Sequence, residues 1–364
     1  MANPSLSSGI LYIDRDRDVL SGQWGPYVKI GIVRNNRTVA ERNKQHQTGN
    51  PRRIEPIFSL DAPMVDSLEK RLHSLFADLR IIGEWFIFDD VTIAKKVIPT
   101  AKEIIEEQIL SKNTFERRLE LKDHISSGLM RKPTIKEKKL YDHLINARHD
   151  LIIKKAHLSI HKNNLIKIMG SAFGIDGVIE CQTRIRKSVL QKNLLKAEHP
   201  NIFAEYEIDV LNYVTSKFVV KGTLPLSKLD KTLDARVKAS KLGTEEVTNT
   251  SRVIIKRDAS IEDHHTNYLQ YLGQVSEAEW QVEKKESEMA NIIGDDDGLE
   301  DLIQWKREST QETKFDTAKF IANEPALAKE FLSTEKSYTA MVILPGRPYS
   351  KMQPHCDLTS NSPE

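Results

Sequence analysis

Arg42 and His46 lie four residues apart in VAERNKQHQ, and Glu69 and His73 repeat that spacing in VDSLEKRLHSL. On a helix, each such pair projects from one face. A cation, two imidazoles and a carboxylate converging on one surface supply what phosphodiester cleavage needs: a metal ligand, a proton acceptor and a clamp for a pentavalent phosphate. Each residue alone also reads as a solvated helix face with a marginal ion pair. The joint pattern is what points to chemistry.

Such helices need a sheet behind them. Residues 10–13 (ILYI) read as a strand, Asp14–Pro26 as a charged, Gly-containing loop and Tyr27–Val33 as a second strand, antiparallel to the first. A helix is expected from Arg37 to Gln47, after Asn35–Asn36 and stopped by Thr48-Gly49-Asn50-Pro51. Ile54–Leu60 is a third strand. Ala62-Pro63 opens a second helix with Val65, Leu68, Leu72, Leu75, Phe76 and Leu79 at helical spacing. Gly83 then releases the chain into a last strand, Glu84–Phe88, in which Trp85, Phe86 and Phe88 read as core aromatics. The expected order is β-β-α-β-α-β.

Beyond Asp90 the pattern turns helical. Ile93–Lys122 and Ile135–Ile168 carry Leu and Ile every three or four residues, with Pro133 between them, and two such helices are expected to pair as a hairpin or to form an arm. An internal repeat comes next. KIMGSAFGIDGVIE from Lys167 recurs, diverged, as NIIGDDDGLEDLIQ from Asn291; each copy leads to a short helical stretch (from Lys192 and from Ala318) and then an apolar strand. The fold class read from this is α+β: a small β-β-α-β-α-β domain at 1–92, a helical connector at 93–149, and two helix-strand-helix-strand modules at 150–222 and 265–346. A linker with one helix near Lys228–Lys241 separates the modules at 223–264, and 347–364 reads as a frayed tail.

At 364 residues, with 29 % charged and 39 % hydrophobic residues, the chain has the size of two or three domains and the composition of a globular, helix-rich protein. No apolar run approaches the roughly 18 residues of a membrane span, and the opening residues lack the features of a signal peptide, so a cytoplasmic protein without membrane contact is expected. Cys181 and Cys356 have no CxxC or His neighbours, which argues against a disulfide framework or structural zinc.

Charge is uneven: roughly +1 over residues 1–95, roughly +8 over 96–222 and roughly −7 over 223–364. The middle third is therefore expected to face a polyanion. Lys138, Lys139, Lys154, Lys155, Arg184 and Arg186 stand out as a phosphate track, to which Arg34, Lys44, Arg52 and Arg53 of the first domain add. A solvated amphipathic face is the competing reading, and the scarcity of interleaved aromatics argues against base stacking along the track.

Residues 8–90 resemble the GIY-YIG nuclease superfamily, in its phage-associated branch. Gly9-Ile10-Leu11-Tyr12 stands for the GIY strand and Lys29-Ile30-Gly31 for the YIG strand. Arg42 and His46 match the Arg-x-x-x-His helix, Thr48–Pro51 its TGNP end, Glu69 the metal-binding Glu, and Gly83-Glu84-Trp85-Phe86 the GEWF strand. The resemblance implies a DNA endonuclease using one divalent cation, Mg²⁺ or Mn²⁺, held by Glu69, with Arg42 stabilising developing charge. Its setting would be phage or prophage recombination, replication or defence, with proteins of those systems as partners. Lys29 replaces the family's usual Tyr, which leaves Tyr12, Tyr27 and His46 as alternative proton acceptors; Lys29 could lower a neighbouring phenol's pKa or contact phosphate. Gly31, His73 and Glu84 are expected to support the site, His73 through packing, a hydrogen bond or catalysis, and Glu84 as a cap or salt bridge. The repeated module more weakly resembles the region after the core of YqaJ-type viral recombinase exonucleases, which implies contact with DNA or a recombination partner. A second functional class stays open: a DNA-binding or scaffold protein with an inactive nuclease domain. Oligomeric state is not readable from the chain.

Overall fold

The computed structural model describes residues 6–34, 37–48, 50–124, 126, 128–221, 229–244 and 253–346. Asn35, Asn36, Gly49, linker residues 222–228 and 245–252, and the tail 347–364 with Cys356 lie outside the described residues. The fold is α+β.

The first unit comprises β1 (Gly9–Arg17), β2 (Trp24–Arg34), α1 (Val39–Gln47), β3 (Arg53–Ala62), α2 (Val65–Leu75), β4 (Arg80–Ile82) and β5 (Trp85–Ile87). They form a five-stranded sheet in the order β3-β1-β2-β5-β4. Strand alternation sends Leu11, Ile13, Val28 and Ile30 to a core shared with Val65, Leu68 and Leu72 of α2 and with Phe86. Tyr12, Asp14, Lys29 and Gly31 occupy the other set of alternate positions.

Two expectations change here. The charged stretch after Ile13 is strand, not loop: β1 and β2 pair from Gly9↔Arg34 to Arg17↔Trp24, leaving only a short turn. Charged strand ends are stable there because each charge finds a partner. Arg15 and Arg17 lie over the Trp24 ring, Arg15 Nε donates to the Gly25 carbonyl at 2.7 Å, and Asp18 Oδ1 accepts from the Ser21 backbone at 2.8 Å. Helix α1 begins at Val39 rather than Arg37 because Thr38 and Glu41 close a capping box.

The chain continues through α3 (Asp90–Thr92), one π-helical turn (Ile93–Val97), α4 (Ile98–Lys122), β6 (Met130–Arg131), α5 (Ile135–Met169), β7 (Gly174–Ile175), β8 (Ile179–Arg186), α6 (Lys192–Glu198), α7 (Pro200–Glu205) and β9 (Glu207–Val220). Then come α8 (Lys231–Lys241), β10 (Ile254–Ile255), α9 (Ala259–Ile293), β11 (Gly298–Leu299), β12 (Ile303–Phe315), α10 (Thr317–Asn323), α11 (Pro325–Glu330) and β13 (Lys336–Ile343). Helices α4 and α5, expected to pair as a hairpin or to form an arm, each pack chiefly on α9, as does α2. Helix α9 is apolar on several sides: Trp280 meets Phe115 of α4, Val275, Ala278 and Val282 meet Leu151 of α5, and Met289, Ala290 and Ile293 meet Tyr141 and Leu144.

The repeat has a fuller form than sequence periodicity conveys. Each copy is strand, 35-residue helix, hairpin, two short helices and strand, from β6 to β9 and from β10 to β13. Residue 149 falls inside α5. Both long helices end on a glycine with positive φ, Gly170 at 52° and Gly294 at 64°, where a side chain would be strained. The copies exchange their outer strands. One sheet runs β10-β7-β8-β13 and the other β6-β11-β12-β9, so each central hairpin is completed by two strands of the other copy. The modules are thus interlocked rather than strung in series.

The interlock also engages part of the charge asymmetry. Basic residues of the middle third meet acids of α9 and its end: Arg118 and Arg148 pair with Glu286 at 3.1 and 2.7 Å, Lys155 with Glu279 at 2.9 Å, and Arg131 with Asp296 at 3.1 Å. Arg118 and Glu286 are both buried, where an unpaired charge would be costly.

Candidate active site

Tyr12 stands directly opposite Gly31 in the β1–β2 ladder and is fully buried. A Cβ at position 31 would lie 2.4 Å from Tyr12 Oη and 2.5 Å from Cζ, so the phenol occupies the space that any side chain there would fill. Helix α1 covers the same face. His46 lies with its ring centre 6.2 Å from that of Tyr12, and Asn43 Nδ2 donates to Asp14 Oδ1 at 3.2 Å. Arg42, one residue before Asn43, is near enough to the phenol to act on its ionisation, although no hydrogen bond of normal geometry joins them among the described residues.

Lys29 is almost buried and forms an ion pair with Glu84, whose backbone carbonyl accepts from Ile30 N at 3.1 Å. Glu69 enters the group from α2. No cation stands within ion-pair distance of it among the described residues, and burial, with Glu84 adding to it and Arg34 and Lys29 opposing, pushes its carboxyl up to about 7. Burial also raises Glu84, but Lys29, through both its hydrogen bond and its charge, holds that carboxyl below the usual range. The pair of glutamates is therefore split: Glu84 is neutralised by protein, and Glu69 is not.

The candidate proton acceptors divide likewise. Burial pushes the Tyr12 phenol well above its ordinary value, with Arg42 opposing and Asp14 and Glu84 reinforcing the rise. The lowering of a phenol by Lys29 that the sequence allowed is not what surrounds Tyr12. His46 is driven the other way, to about 4, by burial first and then by Lys29 and Arg42. At neutral pH the phenol keeps its proton and the imidazole has none to spare beyond its neutral form. Tyr27, two residues before Lys29 on the same face of β2, lines a cleft of about 400 Å³ with Asp16, Asn50, Arg52 and Trp85, over whose ring Lys29 lies.

His73 Nε2 lies 2.9 Å from the Ile30 carbonyl and so donates its proton there, with its ring 5.3 Å from Phe86. That tethers α2, one turn past Glu69, to β2. Arg34 clamps the same helix earlier through Asp66, its Nε donating at 2.8 Å.

Asp14 escaped the sequence reading, although its position two residues after Tyr12 on one strand puts both on one face. It is fully buried, Oδ2 has no partner among the described residues, and burial raises its carboxyl to about 6 from 3.8, against Asn43 and Lys29. The folded state therefore holds this proton more tightly than the unfolded one. The resulting stabilisation is full below about pH 4 and is lost as pH rises through about 6. Asp14→Asn, which keeps an acceptor for Asn43, is expected to remove that pH dependence and to stabilise the protein at pH 8 by about 1–3 kcal/mol. Denaturant melts at pH 4.5 and 8 check this; equal stability of the two proteins at pH 8 refutes it.

Of the expected phosphate contacts, several already have acidic partners. Arg52 pairs with Asp16 and Asp18, Arg53 with Glu55 at 3.0 Å, Lys154 with Asp150 at 2.6 Å, and Lys155 with Glu279. Lys44, Lys138 and Lys139 are exposed, and so are Arg184, which donates to Gln182, and Arg186, which lies over Tyr338. Arg80, absent from the sequence reading, is half-buried beside the carboxylates of Glu84 and Glu69 and donates to the Gly83 carbonyl.

Compared with known protein families, residues 9–106 match the T5orf172 domain, a GIY-YIG-like domain family from phage T5. No curated protein and no solved structure matches the chain. Nothing in these comparisons supports the resemblance of the repeated modules to YqaJ-type exonucleases. No helix among the described residues is long and apolar enough to cross a membrane.

Proposed function

We propose that the first unit is a divalent-cation-dependent DNA endonuclease of GIY-YIG type and that the interlocked modules present DNA to it. The observation that carries this reading is Glu69: a largely enclosed carboxylate raised to about 7, with no protein cation paired to it, in a group that includes Lys29, Arg42 and Glu84. A carboxylate so placed fits a hard cation with oxygen ligands, Mg²⁺ or Mn²⁺, which takes one protein carboxylate and fills its other positions with water and phosphate oxygens. When bound, the cation polarises the phosphodiester and favours ionisation of water.

The chain's own residues do the rest. Arg42 offers a charged donor to the phosphate oxygens as charge builds on them. His46, neutral at pH 7, accepts the proton of the attacking water, and Tyr12, still a phenol, orients that water by hydrogen bonding. Lys29 fixes Glu84 and gives the site a second positive charge. The match to a phage domain family favours a setting in recombination, replication or defence, with partners from those processes.

The direct test incubates the protein with single-stranded, duplex and branched DNA, with Mg²⁺ and with EDTA. Strand scission that needs the cation is the expected result. DNA binding without scission on any substrate favours the scaffold reading instead.

A further inference from the structure

Strand β13 pairs with β8 as a two-stranded ribbon that starts beside the first unit and runs away from it. The start is fixed by contacts. Gly346 N, just past β13, donates to the Ala77 carbonyl at 3.0 Å, and His265 of α9 bonds the Leu344 carbonyl at 2.9 Å. A cleft of about 470 Å³ lies at this junction, between Arg80 and Gly83 on one side and Glu180, Gln182 and Tyr268 on the other. Gly83, which lines this cleft, directly precedes Glu84, and Arg80 lies within electrostatic reach of Glu84 and Glu69, so the cleft borders the candidate active site.

Strand register then decides which side chains lie beyond the cleft. Glu180↔Val342, Gln182↔Ala340, Arg184↔Tyr338 and Arg186↔Lys336 are directly opposed, and alternate residues share a face. The face that lines the cleft at Glu180 and Gln182 therefore carries Arg184, Arg186, Lys336 and Tyr338 further out, all exposed. The opposite face begins with Ile179, Cys181 and Ile343 in the core. Arg186 lies 5.5 Å from the Tyr338 ring centre, and no carboxylate pairs with Arg184, Arg186 or Lys336 among the described residues. Successive cations on the strand are roughly 7 Å apart.

The duplicated copy provides an internal comparison. Ile179 and Ile303 open equivalent strands, which makes Glu308 the counterpart of Arg184. The two ribbons thus place their cations differently: the one that abuts the first unit carries Arg184, Arg186 and Lys336 outward from the cleft, whereas the other has the Lys217↔Lys306 pair followed by Glu308.

We infer that this face of the β8–β13 ribbon binds a single-stranded segment of nucleic acid leading into the candidate active site, its phosphates on Arg184, Arg186 and Lys336 and a base on Tyr338. A two-stranded ribbon offers one row of cations and one aromatic, which suits one strand with a base stacked on it rather than the two phosphate rows of a duplex. The inference rests on the nuclease reading for the direction of the strand, not for its binding.

The test measures binding by Glu69→Gln protein, full-length, to a fluorescent 30-nucleotide single strand and to the same sequence as a duplex, each across a salt series. Arg184→Ala with Arg186→Ala is expected to weaken binding about tenfold or more near 0.1 M salt and to flatten the log–log salt slope by about 1.4, or 0.7 per lost phosphate contact. Tyr338→Ala is expected to weaken binding with the slope unchanged. Lys217→Ala with Lys306→Ala removes the same charge from the other ribbon, at the directly opposed pair Lys217↔Lys306, and is expected to change binding less than twofold. Equal losses from the two double variants, or a loss seen only on duplex, overturn the inference. Wild-type protein that binds through the ribbon but never cleaves would sink the nuclease reading and leave this one standing; cleavage and binding untouched by the ribbon variants would do the reverse.

Discussion

Glu69→Gln is expected to reduce Mg²⁺-dependent scission by about 10³-fold or more, since in the proposed site it would remove the metal's protein ligand and the several kcal/mol of charge stabilisation the metal would supply. The size of the effect comes from the lack of a substitute. Among the described residues no group of three metal-holding side chains occurs, and the two carboxylates that act on Glu69 are already engaged, Glu84 by Lys29 and Asp66 by Arg34. Arg42→Ala is expected to cost about 10²–10³-fold, as loss of one preorganised donor does. Folding should not suffer in the Gln variant. Glu69 is held in an environment that disfavours its charge, so its replacement by a neutral isostere should leave thermal stability in EDTA equal or higher at pH 8. The wild type alone should then gain stability on addition of Mg²⁺, because a ligand that binds only the folded state stabilises it by mass action. A Gln variant that cleaves within tenfold of wild type, or that gains the same Mg²⁺ stabilisation, removes Glu69 from the metal role.

Local pattern carried much of the first unit. The alternation of Leu11 and Ile13 with Tyr12, and the helical spacing of Val65, Leu68 and Leu72, were enough to place a core on one side of the strands and the motif residues elsewhere. What local pattern does not encode is partnership across the fold. The charged ends of β1 and β2 read as loop because their stabilisation comes from Trp24 and Arg52, neither of which alternation announces. Asp14 went unremarked for the same reason: its significance depends on burial beneath Asn43. The charge imbalance between middle and last thirds was legible, but the part of it that forms ion pairs between interlocked copies, such as Arg148–Glu286, required knowing that α5 packs on α9. Strand exchange has no local signal at all. A two-residue strand such as Met130–Arg131 is defined only by the Gly298–Leu299 segment beside it. The role of Lys29 moved as well, from a candidate tuner of a phenol to the partner of Glu84.

Gly31→Ala is the substitution expected to separate position from chemistry most sharply, because it adds one methyl group and touches no ionisable residue. The new carbon would sit 2.4 Å from Tyr12 Oη, 2.5 Å from Cζ and 2.9 Å from Cε2, far inside van der Waals contact. Something must move, and the ladder leaves little choice. Gly31 is paired to Tyr12 itself in β1, and Ile30 beside it lies in the core. The ring must therefore tilt outward against α1. That helix buries none of its residues, so it is the weakest neighbour and is expected to lift. Overpacking of this kind costs about 1–3 kcal/mol, a drop of a few degrees in melting temperature. The catalytic loss should be far larger, about 10²-fold or more, because Arg42 and His46 ride on α1 and an ångström of displacement is that costly to an aligned site. Tyr12→Ala provides the control. Combined with Gly31→Ala it removes the collision, so the double variant should melt higher than Gly31→Ala alone, a coupling that two independent sites would not show. Wild-type melting and cleavage in Gly31→Ala would mean that Tyr12 does not rest on Gly31, and with that the tie between the two strand motifs and the α1 site would be lost.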